Sequence, residues 1–289
     1  MQVVRTSSDL QEGLAPWRRA GERIGLVPTM GALHAGHMAL VAAARGECRR
    51  VVATIFVNPK QFAPNEDLAS YPRPEAADLE MLQSTGVDLA YLPTADEMYP
   101  PQFSTVVRVA GLSEGLCGAH RLGHFDGVAT VVTKLLIQSL PDCAYFGEKD
   151  YQQLLVIRRL VRDLDLPVRI VGVPTVREPD GLALSSRNLY LSAQERRVAP
   201  ELSRVLRDIA AALEHEPGAV RRETERGLAE LTSAGFDVEY LEIRDAESLA
   251  PVRDVVTAAA RVLAAVHLGR TRLIDNFPVA SLPATAHRG

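Results

Sequence analysis

The chain predicts an α/β fold, a parallel sheet with helices on both faces, followed by a smaller α+β domain. Three observations carry this. Short apolar runs at 24–27, 51–57, 89–92, 143–146 and 168–173 are spaced widely enough for a helix between neighbours. Strands that alternate with helices assemble in parallel, with helices over both faces. Two intervening segments, 128–140 and 151–164, repeat apolar residues at the spacing of crossover helices. Beyond about residue 175 two helical segments precede three candidate strands, the order of a separate α+β unit.

The elements follow in chain order. The first 21 residues carry Arg5, Asp9, Glu12, Arg18 and Arg19 without a long apolar block, unlike a signal peptide of usual form. The run 24–27 reads as a buried strand, Pro28 and Gly31 as turn punctuation, and 37–45 as a helix with an apolar face. Segment 58–73, rich in Pro, Asn and other polar residues, is a long loop at a strand end, the kind that is often functional. A domain boundary falls within 174–180, dividing the chain into 1–175 and 176–289. Ser192 and Glu195 have the spacing of a capping box and open a helix to about 214, which Pro200 kinks or divides. A helix over 217–234 and strands at 238–243, 258–268 and 272–274 complete the second domain, the middle strand being alanine-rich.

Composition narrows the function. With 289 residues, 47% of them hydrophobic, the chain can bury two cores. A net charge of −4 with both signs interspersed provides no basic field for nucleic acid. Cys48, Cys117 and Cys143 are odd in number, far apart and without CxxC or zinc-ligand spacing, so they read as reduced thiols. No run of about 18 apolar residues predicts a membrane span, and the cytoplasm is the expected location.

Chemistry concentrates at three junctions. His34 and His37 stand one helical turn apart just after the first strand. In an open parallel sheet ligands bind at this carboxyl end, where the first helical N–H groups attract phosphate. Imidazole adds donors that are neutral or cationic near pH 7. A histidine pair alone is more often an ordinary helix feature than a functional one, so it needs partners. Lys149, in Gly147-Glu148-Lys149-Asp150, sits at another strand-to-helix junction, where a plain reading pairs it with Glu148 or Asp150. Leu184-Ser185-Ser186-Arg187-Asn188 follows a further strand and offers hydroxyls, backbone donors and a guanidinium fork suited to phosphate oxygens.

Together PTMGALHAGH, FVNPKQF, GEKD and GVPTVREPDGLALSSRN occur in order, and the closing Arg272-Leu273-Ile274-Asp275-Asn276 extends the match over nearly the whole chain. This series resembles the pantoate-beta-alanine ligases of the HIGH-motif nucleotidyltransferase superfamily, with HAGH as the first motif and LSSRN as a version of the KMSKS loop. The resemblance implies a Rossmann-like nucleotide- and pantoate-binding domain, a smaller C-terminal lid, ATP and Mg2+, and a homodimer formed through the N-terminal domain. It implies a two-step reaction in which pantoyl adenylate forms with release of pyrophosphate, and the amine of beta-alanine then displaces AMP. His34, His37 and Lys149 would be catalytic at the phosphates, His37 donating a hydrogen bond or proton toward the leaving side. ATP would also be lined by Met30, Gly31, Ala32, Leu33, Ala35 and Gly36, by Gly147, Glu148 and Asp150, and by Val176, Leu184, Ser185, Ser186 and Arg187. Leu184 stands where the family commonly has Met, which changes shape and polarisability beside the adenine.

The same resemblance assigns Gln61 and Gln153 to pantoate, and Gln61 to beta-alanine as well, since an amide both donates and accepts. Met30 and Phe56 or Phe62 would wall the pocket, plain core packing being the stronger reading for Phe56. Asn58 would position the second substrate or a phosphate, or simply turn the chain before Pro59. Asp78 matches an acidic position linked to the metal, although a solvated helix carboxylate is the plainer reading there. Arg121 and His124 either border the pocket or stabilise their own loop. Two other readings stay open at this point: an adenylyltransferase that stops at a nucleotidylated product, and a nucleotide-binding protein without turnover.

Overall fold

Every strand in the first part of the chain pairs in parallel. The structure, a computed structural model, describes residues 1–63, 66 and 68–280; of the loop expected at 58–73, residues 64, 65 and 67 lie outside the described residues. The chain divides into two compact units, Met1–Val176 and Arg177–Gly289. In chain order the first contains β1 (Gln2–Val4), α1 (Ser7–Arg19), β2 (Ile24–Thr29), α2 (Ala35–Glu47), β3 (Arg50–Ile55), α3 (Glu75–Ser84), β4 (Leu89–Tyr91), α4 (Ala95–Met98), α5 (Cys117–His120), α6 (His124–Ser139), β5 (Cys143–Gly147), α7 (Tyr151–Asp163) and β6 (Arg169–Val173). The strands lie in the order β1-β4-β3-β2-β5-β6. Val27, Val51, Ala53 and Tyr145 pack on Leu40, Val41 and Ala44 of α2. The alternate residues Ile24, Leu26, Val52 and Leu89 are equally buried, so both faces of the sheet are covered.

The order reverses at β2: the chain runs outward through β3 and β4, then returns to lay β5 on the other side of β2. Pairing between β2 and β5 covers only Gly25↔Cys143 and Leu26↔Ala144. Beyond it β2 continues beside β3 as far as Thr29↔Ile55, and β5 beside β6 as far as Gly147↔Val173. The sheet therefore splits at its carboxyl edge between the two strands that lead into HAGH and GEKD. A split at the point where strand order reverses is where an open α/β sheet receives a ligand.

The same split explains a difference from expectation. Pro28 belongs to β2, in register with Thr54, and not to a turn. It lies past the last partner on β5, where β2 has one neighbour and a missing N–H is tolerated as on an edge strand. Strand β1 and helix α1 were not expected; β1 is three residues long and pairs only with β4. Helix α6 starts four residues earlier than the apolar pattern indicates, directly after Gly123 at φ +79°. Among the described residues no helix is long and apolar enough to cross a membrane.

The second unit holds α8 (Ala193–Val198), α9 (Pro200–His215), α10 (Val220–Ser233), β7 (Asp237–Asp245), β8 (Ala260–Leu268) and β9 (Thr271–Val279). The capping box forms as the spacing predicts, with Ser192 and Glu195 exchanging both bonds. Pro200 divides the helical run, taking the first position of α9 where its missing N–H costs nothing. Leu202, Val205, Leu206, Ile209 and Leu213 form the apolar stripe of α9 and join the core of the antiparallel sheet β7-β8-β9. Each contributes about 1.5–3 kcal/mol by leaving water. The alanine-rich run is the central strand, paired with β7 on one side and β9 on the other, and its side chains are buried except at His267.

Candidate active site

The turn after β2 is held by bonds from outside it. Thr29 Oγ donates to Thr54 O at 2.6 Å and accepts from Gly31 N at 3.2 Å. Gly31 has φ +83°, and a Cβ there would stand 2.9 Å from Asp78 Oδ2. Ala32 follows at φ +51°, a conformation that costs about 1–3 kcal/mol for a residue with a side chain. What holds it is Asp78, whose two oxygens accept from Ala32 N at 2.9 Å and Leu33 N at 2.8 Å. At 2% exposure Asp78 is not the solvated helix carboxylate that its neighbours Ala76 and Ala77 indicate. Each of its oxygens accepts one bond from the loop, so its first observed role is to hold the turn that carries Ala32 and Leu33.

The histidines then form the start of α2. His34 is the N-cap, and its Nδ1 accepts from Gly36 N at 3.1 Å. His37 Nδ1 accepts from His34 N at 3.3 Å, so two imidazoles make a reciprocal capping box. A backbone N–H only donates, so neither Nδ1 carries a proton and the neutral ring has its proton on Nε2. Burial, followed by the Lys149 ammonium, pushes the His34 pKa down to about 4. Burial, followed by His34, pushes that of His37 down to about 3. Both rings, 4.1 Å apart between centroids, are neutral Nε2–H donors at pH 7. Burial therefore favours the neutral one of the two charge states open from sequence, in which His37 Nε2–H is a hydrogen-bond donor.

Lys149 lies in a 3-10 turn, Glu148–Asp150, directly after β5. The charges of Lys149 and Asp150 both act on both imidazoles, so the two junctions converge across the split in the sheet. On the other side of the histidine loop, Gln61 Nε2 contacts Met30 Sδ at 2.9 Å, and Gln61 Oε1 accepts from Asn58 Nδ2 at 3.1 Å. Asn58 is 1% exposed. Its Oδ1 accepts from Lys60 N and Tyr99 OH, and its Nδ2 also donates to Gly127 O. With its amide committed on both sides, Asn58 orients Gln61 and is not placed to position a substrate. Phe56 is core, 6% exposed, and Phe62 packs edge-on to Tyr71. On α7, Gln152 is buried and ties the loop at Leu112, Gly115 and Cys117; its neighbour Gln153 is half-buried.

A family model described as pantoate-beta-alanine ligase matches residues 2–278. The chain belongs to that family. It is a pantoate-beta-alanine ligase, an enzyme that joins pantoate to beta-alanine. It is 54% identical over 281 residues to a pantothenate synthetase of Paramagnetospirillum magneticum, covering 96% of this chain and 98% of that one. A pantothenate synthetase of Dinoroseobacter shibae is 55% identical over 280 residues, covering 96% and 99%. The crystal structure of pantothenate synthetase from Thermus thermophilus superposes with a TM-score of 0.91 at 49% identity, covering 97% of this chain and all of that one. The pantoate-beta-alanine ligase from Francisella tularensis, solved with beta-gamma ATP and beta-alanine, gives 0.78 at 33% identity, covering 96% and 97%.

In the second unit of the ligase, Ser185 caps a 3-10 turn, Ser186–Tyr190, its Oγ accepting from Arg187 N at 3.3 Å. Asn188 Nδ2 anchors that turn to Ala183 O at 3.1 Å. Leu184, Ser185, Ser186 and Arg187 are half-buried, as is Val176, which ends the first unit. The Asp78 clamp and the role of Asn58 had no sequence signal beyond an acid and an amide in their stretches.

Asp78→Asn should lower turnover and raise the ATP KM, each by about tenfold, because the new NH2 must face a backbone donor and releases the turn. The thermal midpoint should fall as well. Steady-state kinetics at several magnesium concentrations check this: restoration by added magnesium would return Asp78 to the metal.

Proposed function

We propose that the ligase activates pantoate with ATP, forming pantoyl adenylate and pyrophosphate, and that the beta-alanine amine then attacks the acyl carbon to give pantothenate and AMP. The observation that carries this is the pair of histidines at the start of α2, whose Nδ1 atoms are taken by backbone N–H groups so that Nε2 is left as the donor, with the Lys149 charge acting on both rings from the end of β5. When a pantoate carboxylate oxygen attacks the α-phosphorus, negative charge grows on the phosphoryl oxygens and on departing pyrophosphate. Fixed donors and a cation oriented in advance lower that barrier without reorganising.

Roles follow from chemistry at each position. His34 and His37 donate hydrogen bonds to the triphosphate and Lys149 balances its charge. The residues from Met30 to Gly36 and from Gly147 to Asp150, with Val176, line the nucleotide, and the N–H groups opening α2 add positive potential. Ser185, Ser186 and Arg187 are assigned to phosphate oxygens on their donor chemistry, and Leu184 to the adenine side. The second unit, in this reading, acts as the lid that keeps water from the adenylate. Gln61 and Gln153 read the hydroxyls and carboxylate of pantoate, and Gln61 also meets beta-alanine. The mixed anhydride is already activated, so attack by the amine needs no enzyme nucleophile.

Among the described residues no three His, Cys, Asp or Glu side chains gather as a metal cage, so the chain does not fit a magnesium ion held by protein carboxylates alone. A magnesium ion carried in by the nucleotide phosphates is the form of Mg2+ compatible with this site. A homodimer in the cytoplasm is the assembly and location that accompany the family resemblance.

Product analysis with pantoate, beta-alanine and magnesium-ATP tests the reading: AMP, pyrophosphate and pantothenate should form in equal amounts, and ADP with inorganic phosphate would replace the adenylate by an acyl phosphate. Gln61→Ala and Gln153→Ala should each weaken pantoate binding by roughly 1–3 kcal/mol, the cost of an unmatched polar group in a buried site, while ATP affinity changes far less. Calorimetry showing normal pantoate binding would remove that glutamine from the pocket.

A further inference from the structure

We propose that His124 is a positioning residue, holding the main chain of Gln61 through Nδ1 so that the Gln61 side chain stays aimed at pantoate. This rests on the reading of Gln61 above. The geometry behind it begins in the turn Pro59–Gln61, where Asn58 O and Pro59 O accept the bonds that close the turn. Gln61 O points out of it and accepts from His124 Nδ1 at 2.8 Å. The other ring nitrogen, Nε2, faces Arg121 Nη1 at 3.0 Å.

These two contacts fix the proton. A carbonyl only accepts, so Nδ1 must bear hydrogen; a guanidinium only donates, so Nε2 must be bare. One neutral tautomer satisfies both, and a protonated ring would face Arg121 with a second donor. Burial, and then the Arg121 charge, push the His124 pKa down to about 4, which keeps that tautomer populated at pH 7. Arg121 is itself held by Glu66 through two bonds, Nε to Oε1 at 2.7 Å and Nη2 to Oε2 at 2.6 Å. Arg121 Nη2 also donates to Gln61 O directly, at the longer distance of 3.4 Å, so the contacts run from Glu66 through Arg121 to the Gln61 carbonyl both by way of His124, whose bond is the shorter, and past it, while Asn58 orients the Gln61 amide from the other side.

Helix α6 makes this reach work. A Cβ at Gly127 would collide with the Lys60 carbonyl and stand 2.7 Å from Gln61 N, so the first turn of α6 presses directly on the backbone that carries Gln61. His124, one turn earlier on the same helix, is 8% exposed, as is Gln61. The Arg121–His124 pair, which sequence leaves open between bordering the pocket and stabilising its loop, acts on the pocket through Gln61.

The test separates positioning from general stabilisation by rescue and by a double-mutant cycle. His124→Ala should raise the pantoate KM about tenfold and leave the ATP KM within about twofold of wild type. His124→Asn restores a donor near the position of Nδ1 and should recover most of the loss. His124→Gln reaches toward Arg121 instead and should not. In a Gln61→Ala background, His124→Ala should add almost nothing to the pantoate defect, because the residue it positions is gone. Equal losses with and without Gln61, equal rescue by Asn and Gln, or parallel rises in both KM values would overturn the proposal. If the alanine variant does not fold, the comparison of Asn with Gln decides by itself. An unchanged pantoate KM in Gln61→Ala removes the reading of Gln61 and this proposal with it; a normal Gln61→Ala defect beside an inert His124→Ala removes this proposal alone.

Discussion

Turnover should fall about 10²-fold or more when His37 is replaced by alanine, the effect of losing one preorganised donor at a site of developing charge. The same change removes one arm of the capping box at the start of α2, worth about 1 kcal/mol, so a modest drop in thermal midpoint accompanies it. His37→Asn separates the two effects. Its side-chain oxygen can accept from His34 N in place of Nδ1, yet it has no donor where Nε2–H stood. Stability should return while turnover stays low.

The pH dependence adds a second readout for the same residue. With folded pKa values near 4 for His34 and near 3 for His37, against an unfolded value of about 6.5, the unfolded chain binds protons that the native rings refuse. Their contribution to stability is therefore complete above about pH 6.5 and declines as the pH falls toward 4. His37→Asn should weaken this acid-side decline in thermal melts. Turnover should show no limb near pH 6.5 that depends on His37. Such a limb, present in wild type and absent from His37→Asn, would assign a titrating imidazole and sink the neutral-donor account.

Lys149→Ala should cost about 10²–10³-fold in adenylate formation, since it removes the cation where charge moves toward pyrophosphate. Attack of beta-alanine on adenylate already formed should suffer much less, because that step expels AMP and leaves the pyrophosphate side behind. Rapid quench with radiolabelled ATP resolves the two halves. In wild type, pyrophosphate and bound adenylate should appear before beta-alanine is added, with AMP and pantothenate afterwards. Equal damage to both halves would make Lys149 a general structural residue, and an intact adenylylated product would favour an adenylyltransferase.

Much of the site is legible in the chain because its parts are local. HAGH and GEKD each follow a short apolar run and precede a helix, and a parallel sheet presents such junctions on one edge. The Ser192–Glu195 capping box and the division at Pro200 are likewise relations within a few residues, and both form. Pro28 misleads for the opposite reason: whether proline ends a strand depends on whether a neighbour needs its N–H, and that neighbour, β5, lies more than a hundred residues further along the chain. The plain reading of Asp78 fails in the same way. Its helix neighbours are exposed alanines, and nothing nearby in sequence records that the turn it clamps lies 46 residues earlier.

By itself the sequence determined the α/β class, the alternation of strands β2 to β6 with helices and the capping box that opens α8, because hydrophobic period, turn residues and capping are set by near neighbours along the chain. Tertiary structure decided the split between β2 and β5, the commitment of Asn58 and Asp78 to internal bonds, and the proton on each imidazole. A proton's place on a histidine depends on how much water the ring has lost and on which groups the fold brings to its two nitrogens. For His34, His37 and His124 those groups include backbone amides at the start of α2, a carbonyl from the Pro59–Gln61 turn and the guanidinium of Arg121. Burial is a property of the packed chain, so the charge of these histidines exists only once the sheet and its helices have closed around them.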